Sequence, residues 1–378
     1  MVDVAPRRTR PSRRWPFPDL NRLVARPGFQ RWAAKFPLTR RFATRDGADM
    51  FGLVQGFVQS QVLMALVRLD LPQTLLDGPR TVESLARLTD IPEPRMHVLS
   101  DAAIAMGLFK RQRDGRVNLA RKGAALVGVP GLQAMIRHHD VLYRDLADPV
   151  AFFKGPDDTE LARFWPYVFG GGTDIPKDDA RIYTDLMAQS QRLVAADTLD
   201  AVSLRGVRCL MDVGGGSGVF LEEAASRNRD LQLMLFDLPN VVEEVPSRLT
   251  DVARAGRLTI TPGSFKTGPL PNGADAISLI RVLYDHSDAT VMQLLKKAYD
   301  ALPEKGRLIV SEPMSGGDSP DSITDVYFAI YTMAMQTGRV RSAERIAGMC
   351  REAGFSNLRI HRPRRSYVTQ AVSAIKDT

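Results

Sequence analysis

The chain has 378 residues, 44% apolar and 25% charged, which excludes disorder as the main state and leaves apolar surface enough for two cores. Two cysteines, Cys209 and Cys350, exclude a disulfide scaffold and suit packing residues in a reducing cytoplasm. No stretch approaches the ~18 apolar residues of a membrane-spanning helix, and the opening Met1–Arg8 lacks the apolar region of a signal peptide.

The net charge of +8 is concentrated at the start, where residues 1–46 hold twelve basic side chains against three acids and the remainder is close to neutral. Trp15, Phe17, Phe29, Trp32, Phe36 and Phe42 are interleaved with these arginines. Such an arm suits peripheral contact with an anionic membrane, where each charge adds roughly 1 kcal/mol. The same composition would serve nucleic acid, and a solvated tail folded onto its own body is the plain alternative.

Residues 47–200 read as mainly helical. Phe57, Val58, Gln61, Val62, Ala65, Leu66 and Leu69 recur at spacings of three and four, predicting an amphipathic helix. Thr81 is a candidate N-cap, and a further helix is predicted from Pro94 to Met106. Leu108–Arg111 and Arg116–Leu119 then flank Asp114-Gly115, a hairpin signal. Two helices and a two-stranded wing describe a winged-helix module, which serves DNA in some proteins and dimerisation in others. The neutral body argues against nucleic acid. Residues 130–200 are predicted as helices with irregular joints, including the run Gly170–Gly172.

From residue 201 strands and helices alternate, predicting a parallel sheet. The candidate strands are 208–213, 231–237, 258–261, 276–281, 307–312, 357–361 and 367–373. A helix after Asp288 carries Val291, Leu294, Leu295, Ala298 and Leu302 on one face, and another runs from Ser342 to Gly354. About five residues separate the last two strands, too few for a parallel crossover, so they must pair antiparallel. A parallel sheet closed by an antiparallel hairpin is the α/β arrangement of class I methyltransferases, and nicotinamide-binding domains lack it.

Asp212-Val-Gly214-Gly-Gly216-Ser-Gly218 follows the first strand and opens a helix. The dinucleotide fingerprint read from Gly214 needs glycine or alanine at Val219 and fails, and the lysine of a phosphate loop is absent. What remains is an acid followed by G-x-G-x-G, the usual loop for S-adenosyl-L-methionine. Asp237, nineteen residues after Gly218 and followed by Leu238, can accept both ribose hydroxyls at the second strand's end.

These motifs, with Pro262-Gly-Ser264-Phe265, Arg281-Val-Leu-Tyr284-Asp-His286-Ser-Asp, Arg307–Glu312-Pro and Ala353-Gly-Phe, resemble the S-adenosylmethionine-dependent O-methyltransferases of small hydroxylated molecules. That family dimerises through an N-terminal winged helix. Leu142–Val150 and the Tyr284-Asp-His variant resemble its bacterial carotenoid branch. The resemblance implies a homodimer, an apolar substrate, and Asp212, Gly214, Gly216, Gly218, Asp237, Leu238, Ser264, Phe265 and Arg281 on the cofactor side. It implies no metal.

The departures bear on catalysis. The family's catalytic histidine is replaced by Tyr284, His286 stands at the position of its tryptophan, Glu312 keeps one flanking acid, and Val340 replaces the other. Ser264 stands where the family has an adenine-contacting aspartate. His286 is then the base candidate, with Tyr284 orienting the hydroxyl and Glu312 buttressing one of these groups. His138, His139, Met187 and Tyr331 are candidates for the substrate side, His138 and His139 being alternative bases; His97 and His361 read as structural. Phe152, Phe153, Phe164, Trp165, Tyr167, Phe169, Tyr327, Phe328, Met333 and Met335 supply an apolar pocket or simply core. Competing readings are C-methylation of a tetrapyrrole and a winged-helix regulator that only binds the cofactor.

Overall fold

The computed structural model describes residues 20–155, 158–164 and 177–377. Trp15, Phe17, Trp165, Tyr167, Phe169, the run Gly170–Gly172 and the side chains of Phe164 and Met187 lie outside what it describes.

Helices Leu20–Val24 and Pro27–Lys35 lead into one long helix, Arg40–Arg68, so residues 46 and 47 fall within a single element. Phe29, Trp32 and Phe36, spaced three and four apart, form a ring row with centroids 5.5 and 4.9 Å apart. The expectation that nothing approaches a membrane-spanning helix is corrected here. Arg40–Arg68 contains an 18-residue window of mean hydropathy 1.5 that is 17% buried, long and apolar enough by length and composition. Uncharged Gly52, Gln55, Gly56, Gln59, Ser60 and Gln61 break the run of apolar residues without adding charge, so counting contiguous residues overlooks it.

Val82–Thr89 is capped by Thr81, whose hydroxyl accepts the Ser84 N–H, and Glu93–Ala105 follows. Strands β1 (Phe109–Arg111) and β2 (Val117–Leu119) pair antiparallel across the predicted Asp114-Gly115 turn. Leu66, Leu71, Leu75, Leu85, Met96, Phe109 and Val117 close a core beneath them. Arg121–Gly128, Leu132–Asp145, Pro149–Lys154, Glu160–Phe164 and Lys177–Ala201 continue the helical region.

The remaining strands are β3 (Cys209–Val213), β4 (Gln232–Asp237), β5 (Leu258–Pro262), β6 (Ala276–Ile280), β7 (Arg307–Glu312), β8 (Phe355–His361) and β9 (Gln370–Lys376). They form one sheet in the order β5-β4-β3-β6-β7-β9-β8, parallel except for β9, which pairs antiparallel with both β7 and β8. Side chains alternate across the sheet. Met211, Val213, Ile277, Leu279 and Val310 pack against Asp288–Ala301 and Ala343–Glu352, whereas Leu210, Leu233, Leu235 and Ile280 pack against Val219–Arg227. Burial of both faces explains the near-continuous apolar strands.

The last hairpin differs from expectation in its ends. β8 begins two residues earlier and β9 three later, leaving 362–369 as the connection. Tyr367 is an exposed turn residue, while Thr369 is buried and its hydroxyl meets Ser311 Oγ at 2.8 Å. A tyrosine of high strand propensity thus sits outside the strand, because the ladder begins where β7 offers partners.

Candidate active site

The carboxyl ends of β3, β4 and β6 meet at the glycine loop. Gly216 has φ +57° and a Cβ there would meet nothing within 4 Å, so the loop keeps an open side. Gly214, at φ +70°, has Val282 so close that a Cβ would lie 2.8 Å from its methyl group, which ties this loop to the one after β6. Gly218 then caps Val219–Arg227, a helix of nine residues whose first N–H groups face the loop.

Two carboxylates brace this turn. Asp212 is buried, its Oδ1 accepts the Ser278 hydroxyl at 2.6 Å, and its Oδ2 has no partner. Burial pushes its pKa up to about 7. Asp237 ends β4, where Oδ2 accepts the Gly216 N–H and Oδ1 the Leu238 N–H, both at 2.7 Å. Each oxygen keeps a further lone pair for a ligand hydroxyl. Burial raises the Asp237 pKa and the two N–H groups counter it. Ser264 and Phe265 follow β5, and the Ser264 hydroxyl accepts the Lys266 N–H at 3.3 Å. An adenosyl group fits this set: an open glycine turn, a strand-end carboxylate and an aromatic ring.

The loop after β6 is held from several sides. Arg281 takes a left-handed backbone at φ +59° and its guanidinium donates to Ser190 Oγ at 2.8 Å. Glu312, fully buried, accepts the Leu283 and Tyr284 N–H groups at 3.0 and 3.2 Å with one oxygen, while the other has no partner. Its pKa is pushed up to about 7 by burial. Asp285 is pushed up to about 8 by burial, partly countered by Arg281. Burial also raises the Tyr284 phenol, so it is a neutral donor at pH 7. His286 lies edge-on to Phe265, with centroids 5.2 Å apart. Burial, with Lys266 and Arg341 nearby, lowers its pKa to about 4.

Sequence reasoning missed Arg341. Its guanidinium is 3% exposed as a residue and donates to the Leu283 and His286 carbonyls at 2.9 and 2.7 Å and to Asp288 at 2.8 Å, locking the loop. Gly338 packs against the Tyr284 carbonyl where no side chain would fit. Both lie more than fifty residues from the loop they hold, so spacing gave no signal. Val340, the position of the missing acid, is between them and half-buried.

Across from this loop, Leu132–Asp145 carries two adjacent histidines that each reach a phenol. His139 Nε2 is 2.6 Å from Tyr327 Oη, and His138 Nε2 is 2.9 Å from Tyr331 Oη. Desolvation lowers both pKa values, that of His138 to about 4. The Tyr327 phenol lies within the fields of Arg281 and Tyr284, which brings this cluster to the end of β6. Phe152, Phe153, Thr159, Met333 and Gln336 line a nearby cavity of about 230 Å³. His97 and His361 lie elsewhere, His97 3.8 Å from Glu93 on its own helix and His361 2.8 Å from Ser373 on the adjacent strand.

Residues 143–356 match the O-methyltransferase domain family. The demethylspheroidene O-methyltransferase of Cereibacter sphaeroides is 52% identical over 356 residues, covering 94% of each chain. Its Rhodobacter capsulatus counterpart is 49% identical over 343 residues, covering 90% of this chain and 85% of its own. Among solved structures, human N-acetylserotonin methyltransferase in complex with SAM aligns over 88% of this chain and 98% of its own, with TM-score 0.73 and 20% identity. The SAH-bound calicheamicin-biosynthesis methyltransferase CalO1 aligns over the same shares with TM-score 0.74 and 23% identity. The chain belongs to the O-methyltransferase domain family and is an S-adenosylmethionine-dependent O-methyltransferase.

Proposed function

We propose that this enzyme methylates a hydroxyl of an acyclic carotenoid, demethylspheroidene or a close analogue, in carotenoid biosynthesis. The observation that carries the reading is the 52% identity to a demethylspheroidene O-methyltransferase over 94% of both chains. Neither tetrapyrrole C-methylation nor a regulator without activity is favoured by these relatives.

Bound S-adenosylmethionine supplies an electrophilic methyl group on a positively charged sulfur, whose charge is lost as the methyl departs. Gly214, Gly216 and Gly218 let the backbone approach it, Asp237 accepts its ribose hydroxyls, and Leu238, Ser264 and Phe265 flank its base. The open side of Gly216 and the two remaining lone pairs of Asp237 support these roles. Asp212 braces the turn from below, and Arg281 steadies the cofactor side of the loop after β6. His286 belongs with Phe265 at the adenine end, supported by their edge-on contact. Tyr284 donates to the acceptor oxygen, and Glu312 positions it through the Leu283 and Tyr284 N–H groups. Holding acceptor and methyl in line contributes about 7–11 kcal/mol, more than a base supplies.

His138, His139, Tyr331 and Met187 form the substrate side. The chain works in the cytoplasm as a homodimer through residues 47–200, with residues 201–378 as the catalytic unit and the basic arm 1–46 against an anionic membrane that stores the pigment. Exposed Trp32, Phe42, Phe51, Leu53, Val54 and Phe57 support an apolar contact on this side of the molecule. Light scattering that gives a monomer mass removes the dimer, and equal recovery on neutral and anionic vesicles removes the charge-driven membrane contact. The test of function is incubation with methyl-labelled S-adenosylmethionine and demethylspheroidene. A labelled methyl ether is expected, and its absence, with label appearing in a tetrapyrrole, overturns the assignment.

A further inference from the structure

We infer that His139 and Tyr327 form a proton-accepting pair for the acceptor hydroxyl, taking the place of the histidine that this chain lacks at Tyr284. The inference rests on the O-methyltransferase reading and adds the destination of the proton.

A neutral hydroxyl that becomes an ether must give up its proton, and the groups on the loop after β6 are poorly suited to take it. Glu312, at the end of β7 beneath that loop, spends one oxygen on two backbone N–H groups, and its unpartnered oxygen has no exposed surface at which an acceptor hydroxyl could arrive. Tyr284 is a neutral phenol hydrogen-bonded by the Arg281 guanidinium, which has no lone pair to take a proton onward. His286 is turned against Phe265, beside the expected adenine position. Asp285 faces Arg281 within the loop.

The opposite wall is built differently. His139 and Tyr327 come from elements 188 residues apart in sequence, yet Nε2 and Oη meet at 2.6 Å, both half-buried. Tyr327 sits in a π-helical turn, Thr324–Phe328, a rare backbone that recurs at functional sites. The His139 ring also packs edge-on to Tyr143 on its own helix, which limits its rotation. Tyr327 and Tyr284 both lie within the field of the Arg281 guanidinium, which follows β6. One of them is left to donate; the other has an imidazole behind it. Burial keeps that imidazole neutral at pH 7, which is the state a base requires.

The hydroxyl oxygen forms a bond to the methyl carbon as the carbon–sulfur bond breaks, its electron pair remaining on sulfur as a neutral thioether. The hydroxyl proton passes to Tyr327 Oη while the phenol's own proton passes to His139 Nε2. Tyr327 ends neutral and His139 ends as an imidazolium, which balances the positive charge lost by sulfur and later releases its proton to water. The adjacent His138 and Tyr331, four residues after Tyr327, repeat the arrangement at 2.9 Å and shape the wall beside it.

The test uses the full-length enzyme and its Tyr327→Phe, His139→Gln and doubly substituted forms, each checked for an unchanged melting profile. Turnover is measured with demethylspheroidene at saturating S-adenosylmethionine, and cofactor affinity by calorimetry. Each single change is expected to lower kcat about 100-fold, the size of a lost general base. Cofactor affinity should stay within threefold, and the double variant should fall no further than the worse single one. Nitrogen NMR of histidine-labelled free protein supplies a readout independent of turnover. The His139 Nε2 should be an unprotonated acceptor at pH 7 whose signal shifts in Tyr327→Phe. A kcat within tenfold of wild type in either single variant, or a protonated Nε2, overturns the pair. If wild-type enzyme makes no methylated carotenoid, the substrate reading fails, and the nitrogen spectrum still decides whether the pair exists.

Discussion

Replacing Asp237 by alanine isolates the proposed ribose grip. In the folded protein its two oxygens each accept one backbone N–H at 2.7 Å, which orients the carboxylate and leaves a lone pair on each for the cofactor. Hydrogen bonds to a charged acceptor contribute about 1.5–3 kcal/mol each, so losing two ribose contacts costs about 3–6 kcal/mol. At about 1.4 kcal/mol per decade this is a weakening of roughly 100- to 10,000-fold. Because Asp237 is half-buried, water can enter the space left by the carboxylate and reach the Gly216 and Leu238 N–H groups. The lower end of that range is therefore expected, with the fold retained. Asp237→Asn should fall between, because the amide oxygen still satisfies one N–H while its NH₂ faces the other. Calorimetric titration with S-adenosylmethionine, alongside circular dichroism, measures both. Wild-type affinity in a folded Asp237→Ala protein would refute the ribose assignment.

The glycine loop separates steric from functional effects. Gly216→Ala should cost about 1–2 kcal/mol of stability for its left-handed backbone and weaken cofactor binding more than tenfold, since the methyl group enters the open side of the turn. Gly215→Ala should instead destabilise the fold itself, its Cβ lying 2.8 Å from Asp212 Oδ2; melting temperatures distinguish the two. Glu312 makes stability pH-dependent. Its folded pKa, about 7, exceeds its ordinary 4.5, so the folded state holds an extra proton between those values. The associated stability is complete below about 4.5 and lost as pH rises through about 7, with Asp212 and Asp285 acting in the same direction. Glu312→Gln, which still offers an oxygen to the Leu283 and Tyr284 N–H groups, should flatten this decline by up to one proton, about 1.4 kcal/mol per pH unit, in denaturation curves taken from pH 4.5 to 7. An unchanged slope would mean that Glu312 is ionised throughout. His286→Ala should raise the KM for S-adenosylmethionine more than it lowers kcat, and the reverse pattern would return it to the role of base.

Much of the α/β half was legible because it depends on short-range rules. Seven strands were readable from apolar runs separated by helical periodicity, and the antiparallel pairing of β8 and β9 followed from a connection too short to cross over. The glycine loop and Asp237 were readable because each lies at a strand end, where chain direction dictates where ligands approach. Ser342 marks a helix start by the same local logic, its hydroxyl accepting the Arg345 N–H three residues on. Spacing could not reveal Arg341 or Gly338, because each supports the loop after β6 from a segment over fifty residues later.

The sequence by itself determined the class of fold and the family, since these follow from hydrophobic period, strand order and a contiguous glycine motif. Tertiary structure alone decided which polar groups face one another. His286 shares a loop with Tyr284 in sequence, yet its ring is directed to Phe265, while His139 meets Tyr327 across 188 residues. Proton affinity followed the same division: the residue type sets an ordinary pKa, but burial of Asp212, Asp285 and Glu312 moves each of them to about 7 or 8. Desolvation depends on what the rest of the chain packs around a group, and no local pattern encodes that.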